Sequence, residues 1–141
     1  MKIIFTCALQ GDNFRPTEAE KELGIVFVEK NEAGEHGRCG RYIGKPQPFG
    51  FGAFECETDN ESLEIRALGF LNRVHQCLPV WKKFGAEIVT LRIDVIYDEQ
   101  CNFEISESII AQLHELQLPV AISCYCEMRN DNGKGGIKTM T

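Results

Sequence analysis

The residues whose side chains could most readily bind a ligand are three cations in a glycine-rich stretch of an otherwise acidic chain. Residues 31–52 contain six of the 13 glycines, and Arg38, Arg41 and Lys45 lie among them. This stretch is not a phosphate-binding P-loop, because that motif requires Ser or Thr after Gly-Lys, and Pro46 follows Lys45. The pattern predicts either an anion-binding site at the three cations or a twisted hairpin whose charges are solvated.

The cysteines are the second group that could do chemistry. Cys124 and Cys126 are two residues apart on a predicted strand, so their side chains point the same way and could share a soft metal ion. His36 and Cys39 are a further close His/Cys pair. A structural zinc site needs about four ligands in paired positions, and this spacing does not provide them. We therefore expect buried thiols, no metal and no cofactor.

Catalytic signatures are missing from the sequence. There is no Gly-x-Ser-x-Gly elbow, and His75 and His114 lie among polar neighbours on predicted helices, where surface histidines are common. A Cys–His pair could still meet in space, because such partners need not be close in sequence. We predict no catalytic residues and no enzymatic activity.

A polar sheet face is the third candidate. On the predicted strand Glu87–Asp98, Thr90, Arg92 and Asp94 alternate with apolar residues and therefore share one side. If neighbouring strands pair with it, the same face also carries Thr6, Ser123 and Tyr125. Such a face can bind a protein or a ligand, or it can be the ordinary wet side of a two-layer fold.

Composition limits the class of protein. The chain has 141 residues, 43% of them apolar, and a net charge of −6. This charge argues against nucleic-acid binding, which needs a basic surface, and is compatible with a small metabolite, with self-association or with a basic protein partner. No apolar run is long enough to cross a membrane. Seven scattered cysteines without a recognisable secretory signal predict free thiols in the cytoplasm.

The elements that must position these residues form two similar units. Glu87–Asp98 is followed by a turn and helix within 102–116 and by a strand at Pro119–Cys126. Near the start, a strand at Ile3–Leu9 precedes a helix at Thr17–Leu23, capped by Thr17 and ended by Gly24, and a strand at Ile25–Glu29. Both helices follow an Asn-Phe-x-x-(Thr/Ser)-Glu motif, which indicates either an internal duplication or similar caps.

The middle of the chain adds a strand and a long helix. Phe49–Glu57 has strand character, and an apolar stripe from Leu63 to Trp81 recurs at helical spacing. Pro79 predicts a kink or break near Leu78. We predict one α+β domain over residues 1–127, in which a mostly antiparallel five-stranded sheet packs on two or three helices with a ferredoxin-like character. Residues 128–141 are predicted to form a flexible tail.

Several of these motifs together resemble a known kind of domain. The segments Phe14-Arg15-Pro16-Thr17-Glu18, Gly40-Arg41-Tyr42-x-Gly44-Lys45-Pro46 and Ile93-Asp94-Val95 look like a small bacterial family of unknown function of about this length. The resemblance covers most of residues 1–127, and it implies no activity and no catalytic residues. In size, acidity and lack of a catalytic signature, the chain is also similar to bacterial immunity proteins, which bind a cognate toxin.

The functional prediction follows from that class similarity. We expect a non-catalytic cytoplasmic protein, of the immunity type, that masks a basic toxin domain. The candidate contact residues are Glu32, Glu35, Tyr42, Phe49, Arg92, Asp94 and Tyr125. The alternatives are binding of a small anion by the glycine-rich loop and an enzyme with a dispersed site. Self-association is compatible with each of them.

Overall fold

A computed structural model describes residues 1–128 and 136–139. In chain order these residues form β1 (Lys2–Gly11), α1 (Pro16–Leu23), β2 (Glu29–Asn31), β3 (Gly50–Thr58), α2 (Leu63–Lys83), β4 (Ile88–Tyr97), α3 (Glu107–Leu116), β5 (Val120–Met128) and β6 (Gly136–Thr139). A single turn of 3₁₀ helix spans Gly40–Tyr42. The α+β class is confirmed, with three α-helices among the described residues.

The strands form one mixed sheet in the order β2-β3-β1-β4-β5-β6. The β4–β5 pair is parallel, and the other neighbours are antiparallel. The predicted mostly antiparallel arrangement was therefore wrong, because the sheet is mixed, and one strand is added to the five that were predicted. The parallel pair arises because the crossover through α3 returns the chain in its original direction. The additional strand, β6, lies within the predicted tail, and the rest of that tail, 129–135 and 140–141, lies outside the described residues.

The two predicted strand–helix–strand units place their strands differently. β4 and β5 are direct neighbours, with Leu91 opposite Val120 and Tyr97 opposite Cys126. β1 and β2 also run parallel to each other, because both are antiparallel to β3, which lies between them. The predicted strand at Ile25–Glu29 was misplaced, since β2 begins only at Glu29.

The core explains that displacement. Phe27 is buried against Phe14 and Trp81, at ring-centroid distances of 6.3 and 6.2 Å, while Val26 and Val28 on either side are exposed. The Phe27 amide donates to the Glu20 carboxylate instead of to a sheet neighbour. The apolar run at residues 25–28 thus reflects one core anchor, Phe27, in an irregular segment.

The helix ends follow local chemistry, with one exception. Ser106 caps α3 by accepting from the Ile109 amide at 3.2 Å, and Gly24 ends α1 in the left-handed conformation, both as predicted. Thr17 does not cap α1, because the helix already begins at Pro16. The Thr17 amide instead donates to the Glu32 carboxylate at 3.0 Å, so a distant side chain caps this helix.

α2 runs through Pro79 without a break, so the predicted break was wrong, and a kink near Leu78 stays a prediction. The apolar stripe continues past the proline, and Trp81 is fully buried in the core, as predicted. Pro79 itself is exposed. Burial of a tryptophan stabilises a fold by roughly as much as an internal proline costs a helix, about 3 kcal/mol, so packing maintains the helix.

The core lies on one side of the sheet. Its strand residues alternate along β1 and β4, and they are Ile3, Phe5, Cys7, Leu9, Val89, Leu91, Ile93 and Val95. Buried residues of α1, α2 and α3 belong to the same cluster. All three helices therefore cover one face of the sheet, and the other face carries none of them.

Candidate protein-binding face

The helix-free face is built by the register of four long strands. Thr6 lies opposite Glu55 on one side and Arg92 on the other, and Asp94 lies opposite Ile4 and Ser123. Tyr125 lies opposite Ile96. The sequence-based grouping of Thr6, Thr90, Arg92, Asp94, Ser123 and Tyr125 on one face is confirmed. We refer to this surface, formed by the outward residues of β1, β3, β4 and β5, as the open face.

The centre of the open face contains an ion pair that uses only one of the two carboxylate oxygens. Arg92 Nε donates to Asp94 Oδ2 at 2.8 Å. The Arg92 side chain is 54% exposed, whereas that of Asp94 is only 11% exposed. Asp94 Oδ1 is buried and, within the described residues, has no hydrogen-bond partner.

Thr6 provides a second unpaired group beside this carboxylate. It is 3% exposed, and its Oγ1 has no hydrogen-bond partner in the part of the chain that the structure describes. Because Thr6 lies opposite Arg92, it is a diagonal neighbour of Asp94 across the β1–β4 pair. A buried polar atom left unpaired costs about 1–3 kcal/mol, so a partner that supplied hydrogen bonds at this face would recover part of that cost; Trp81 Nε1, in the helix-side core, is also unpaired among the described residues.

The charge of the open face is negative. Among the described residues, the acidic side chains on it are Glu55, Glu57, Asp94 and Glu127, and the basic ones are Lys2 and Arg92. Lys2 approaches Glu57 to 3.6 Å, and Arg92 is held by Asp94. Both cations are thus engaged with acids of the same face, and the surface presented outward is acidic.

The glycine-rich loop forms a hairpin and not a concave anion-binding loop. The Gly37 amide donates to the Lys45 carbonyl, and the Gly44 amide donates back to the Gly37 carbonyl. A Cβ on Gly37 would lie 2.3 Å from the Tyr42 carbonyl oxygen, so glycine is required for this close approach. Tyr42 and Phe49 contact each other edge to face at 6.3 Å, which means that these predicted contact residues stabilise the loop.

The three predicted anion ligands do not converge on one cavity. A cleft of about 550 Å³ beside the hairpin is lined by Arg38, His36 and Lys30, but also by Glu29 and Glu35. Arg41 and Lys45 are exposed and do not line it. The geometry resembles the second sequence-based alternative, a hairpin with solvated charges.

The two acids predicted to contact a partner have different surroundings. Glu35 is exposed in the hairpin, whereas Glu32 is half-buried and caps α1 through the Thr17 amide. Glu32 therefore has a structural task that its sequence context did not reveal, because the helix it caps lies fifteen residues away.

All seven cysteines are free thiols. Among the described residues, no group of three or more His, Cys, Asp or Glu side chains is arranged to hold a metal ion. Burial, reinforced by the nearby Cys77, raises the pKa of Cys7 to about 12, so this thiol stays protonated. Cys124 and Cys126 lie on the helix side of β5, opposite Val95 and Tyr97, away from the open face.

Sequence reasoning missed two features of the molecule. Glu55 and Glu57 are not among the predicted contact residues, and their place on the open face follows from the β1–β3 register. The second is the approach of Cys101 to Cys124, whose sulfur atoms are 3.7 Å apart. No local signal marks that contact, because Cys101 lies in an irregular segment.

Comparison of the chain with protein-family models, curated proteins and solved structures found no match. None of the described helices combines the length and the apolar character that a membrane-spanning segment requires.

Proposed function

We propose that this protein is a non-catalytic binding protein whose open face docks a basic polypeptide, most concretely as an immunity-type antidote that masks a toxin. The observation that carries the proposal is the unpaired, buried Oδ1 of Asp94 beside the unpaired Oγ1 of Thr6. Both groups can accept a hydrogen bond, and a Lys or Arg side chain is a donor with the complementary charge.

The surrounding charges support the same partner. Acidic residues around the centre attract a basic surface over long range and speed its association. At contact, a side chain that covers Asp94 Oδ1 moves aside, so that a partner cation reaches this oxygen while Arg92 keeps Oδ2. Tyr125, half-buried at the β5 end of the face, provides an aromatic contact of the kind that anchors interfaces.

The test has two steps and one matched control. Tagged protein is recovered from its own cells and examined by native mass spectrometry, and we expect a heteromeric mass that contains a basic polypeptide. The Asp94→Asn variant should weaken that complex at least about 30-fold, since truncating a buried charge contact costs about 2 kcal/mol or more. Glu115→Gln removes the same charge from the exposed surface of α3 and should leave binding unchanged. A bare monomer or homodimer, or equal effects of the two variants, would contradict the proposal.

The alternative function is recognition of a small anion in the cleft beside the hairpin, and the presence of Arg38, His36 and Lys30 there supports it. A screen of anionic metabolites by thermal shift tests this alternative. A stabilising ligand whose effect disappears in Arg38→Ala but persists in Arg41→Ala would establish it, because Arg41 does not line the cleft.

Two finer proposals concern the fold and location. We propose that β1-α1-β2-β3-α2-β4 is a ferredoxin-like unit, and the strand order β4-β1-β3-β2 within the sheet supports this. α3, β5 and β6 then extend its β4 edge.

We also propose a cytoplasmic location, supported by the seven cysteines without a disulfide. Neither feature defines the function, because one fold serves many functions.

A further inference from the structure

Three thiols lie together at the end of the sheet near Tyr97. The Cys101 thiol donates towards Cys124 Sγ at a sulfur–sulfur distance of 3.7 Å. Cys126 follows two residues later on the same side of β5, and its sulfur lies 3.7 Å from the Asp98 carbonyl oxygen. Cys101, Cys124 and Cys126 are all half-buried, so small oxidants can reach them, unlike the fully buried Cys7 and Cys77.

We propose that Cys101 and Cys124 are a modification site that forms a reversible intramolecular disulfide when a peroxide oxidises the protein. A disulfide requires the sulfurs to approach from 3.7 Å to about 2.05 Å, which is a movement of less than about 2 Å. Cys101 lies in the irregular segment between β4 and α3, outside the strand ladder, so this movement breaks no strand pairing.

The chemistry balances with a hydroperoxide as the oxidant. The Cys124 sulfur attacks one peroxide oxygen, the O–O bond breaks, and a sulfenic acid and one water form. The Cys101 sulfur then attacks the Cys124 sulfur and expels the sulfenic oxygen as a second water, which carries away the Cys101 proton. Two thiols are thus oxidised by two electrons, and hydrogen peroxide is reduced to two waters.

The arrangement of the pair assigns the order of these steps. Cys101 is the donor in the thiol–thiol contact and lies outside the strand ladder, so it is the partner that can move towards an oxidised Cys124 on β5. Burial and the contact with Cys124 raise the pKa of Cys101, which suits the resolving role better than the first attack. The resulting bond would tie the segment before α3 to β5 and close a loop across 23 residues of sequence separation.

The experiment treats the full chain with equimolar hydrogen peroxide, alkylates it under denaturing conditions and measures the intact mass and the cross-linked peptides. We expect five alkylated cysteines out of the seven, a Cys101–Cys124 peptide, and full recovery of the thiols with dithiothreitol. The melting temperature should rise by about 5 °C or more on oxidation, because the closed loop restricts the unfolded chain.

Matched variants make the assignment specific. Cys101→Ser and Cys124→Ser should lose both the bond and the melting shift, and Cys39→Ser, at an exposed thiol, should keep both. Circular dichroism of the reduced proteins verifies that each variant is folded. Seven alkylated cysteines after oxidation, a Cys101–Cys126 bond, or sulfinic acid on Cys124 beside an alkylated Cys101 would each overturn the proposal.

Discussion

Asp94 is the residue on which the proposed interface depends. Its Oδ1 is buried and unpaired, so the free protein carries a cost that a bound cation would relieve. We expect Asp94→Asn to leave the free energy of unfolding unchanged or to raise it by about 1 kcal/mol, because the Arg92 contact it loses is half exposed. Urea unfolding measures this effect. A loss of more than about 2 kcal/mol would show that the carboxylate serves the fold and not a partner.

Glu20 shows how a single carboxylate can fix an irregular segment. Burial alone would raise the pKa of Glu20, but hydrogen bonds from Lys30 and the Phe27 amide, together with the Lys30 charge, hold this pKa below its ordinary value. A lowered pKa in the folded state stabilises the protein above the unfolded pKa of about 4.3, and the stabilisation is lost as the pH falls through the folded value.

Replacement of Glu20 tests this linkage. Glu20→Gln should lower the free energy of unfolding by about 1 kcal/mol at pH 7, a modest amount because Lys30 is 40% exposed and screened by solvent. The difference from the wild type should shrink as the pH drops below about 4. Glu22→Gln, at an exposed position on the same helix, is the control and should show no such trend. A constant difference between pH 3 and pH 7 would refute the assignment.

At the scale of elements, α1 depends on a cap from outside its own sequence neighbourhood. Glu32 accepts from the Thr17 amide at the first turn, where a carboxylate also suits the helix dipole. Glu32→Lys should therefore lower the free energy of unfolding by about 1–2 kcal/mol. Glu35→Lys, at an exposed hairpin position, should change it by less than about 0.5 kcal/mol. Equal effects in chemical denaturation would show that the cap contributes nothing.

α2 contains an internal proline, and the packing of the helix against the core maintains the helix in spite of it. Pro79 is exposed within the helix, so its replacement removes little buried surface and restores a backbone donor. Pro79→Ala should raise the free energy of unfolding by about 1–2 kcal/mol, after allowance for the greater freedom of the unfolded chain. Thermal and urea unfolding would detect this change. A destabilised variant would mean that the helix geometry at this point is adapted to proline.

At the scale of the whole molecule, the sequence predicted the features that depend on neighbouring residues better than the features that depend on pairing of distant residues. The alternation in β4 and the Ser106 cap depend on neighbouring residues, and both appear as predicted. The mixed sheet, the insertion of β3 between β1 and β2, and the Glu32 cap depend on contacts between distant residues, which one sequence does not specify.

The candidate site shows the same division. Alternation along β4 and β5 was enough to place Arg92, Asp94 and Tyr125 on one face. The buried unpaired atoms could not be predicted, because burial of Thr6 and Asp94 is set by the side chains that surround them in the folded sheet. The anion site at Arg38, Arg41 and Lys45 stays a prediction that the hairpin geometry does not favour.

The most direct measurement of the central claim is a chemical-shift titration of the isotope-labelled full chain with deca-lysine, a probe of basic polypeptide surfaces. We predict that the largest amide shifts occur at the centre of the open face, at Thr6, Glu55, Asp94 and Ser123. They should diminish in Asp94→Asn, persist in Glu115→Gln and weaken as salt is added. Shifts that centre on the 34–47 hairpin or the helix layer, or shifts that Asp94→Asn leaves unchanged, would contradict binding at the open face.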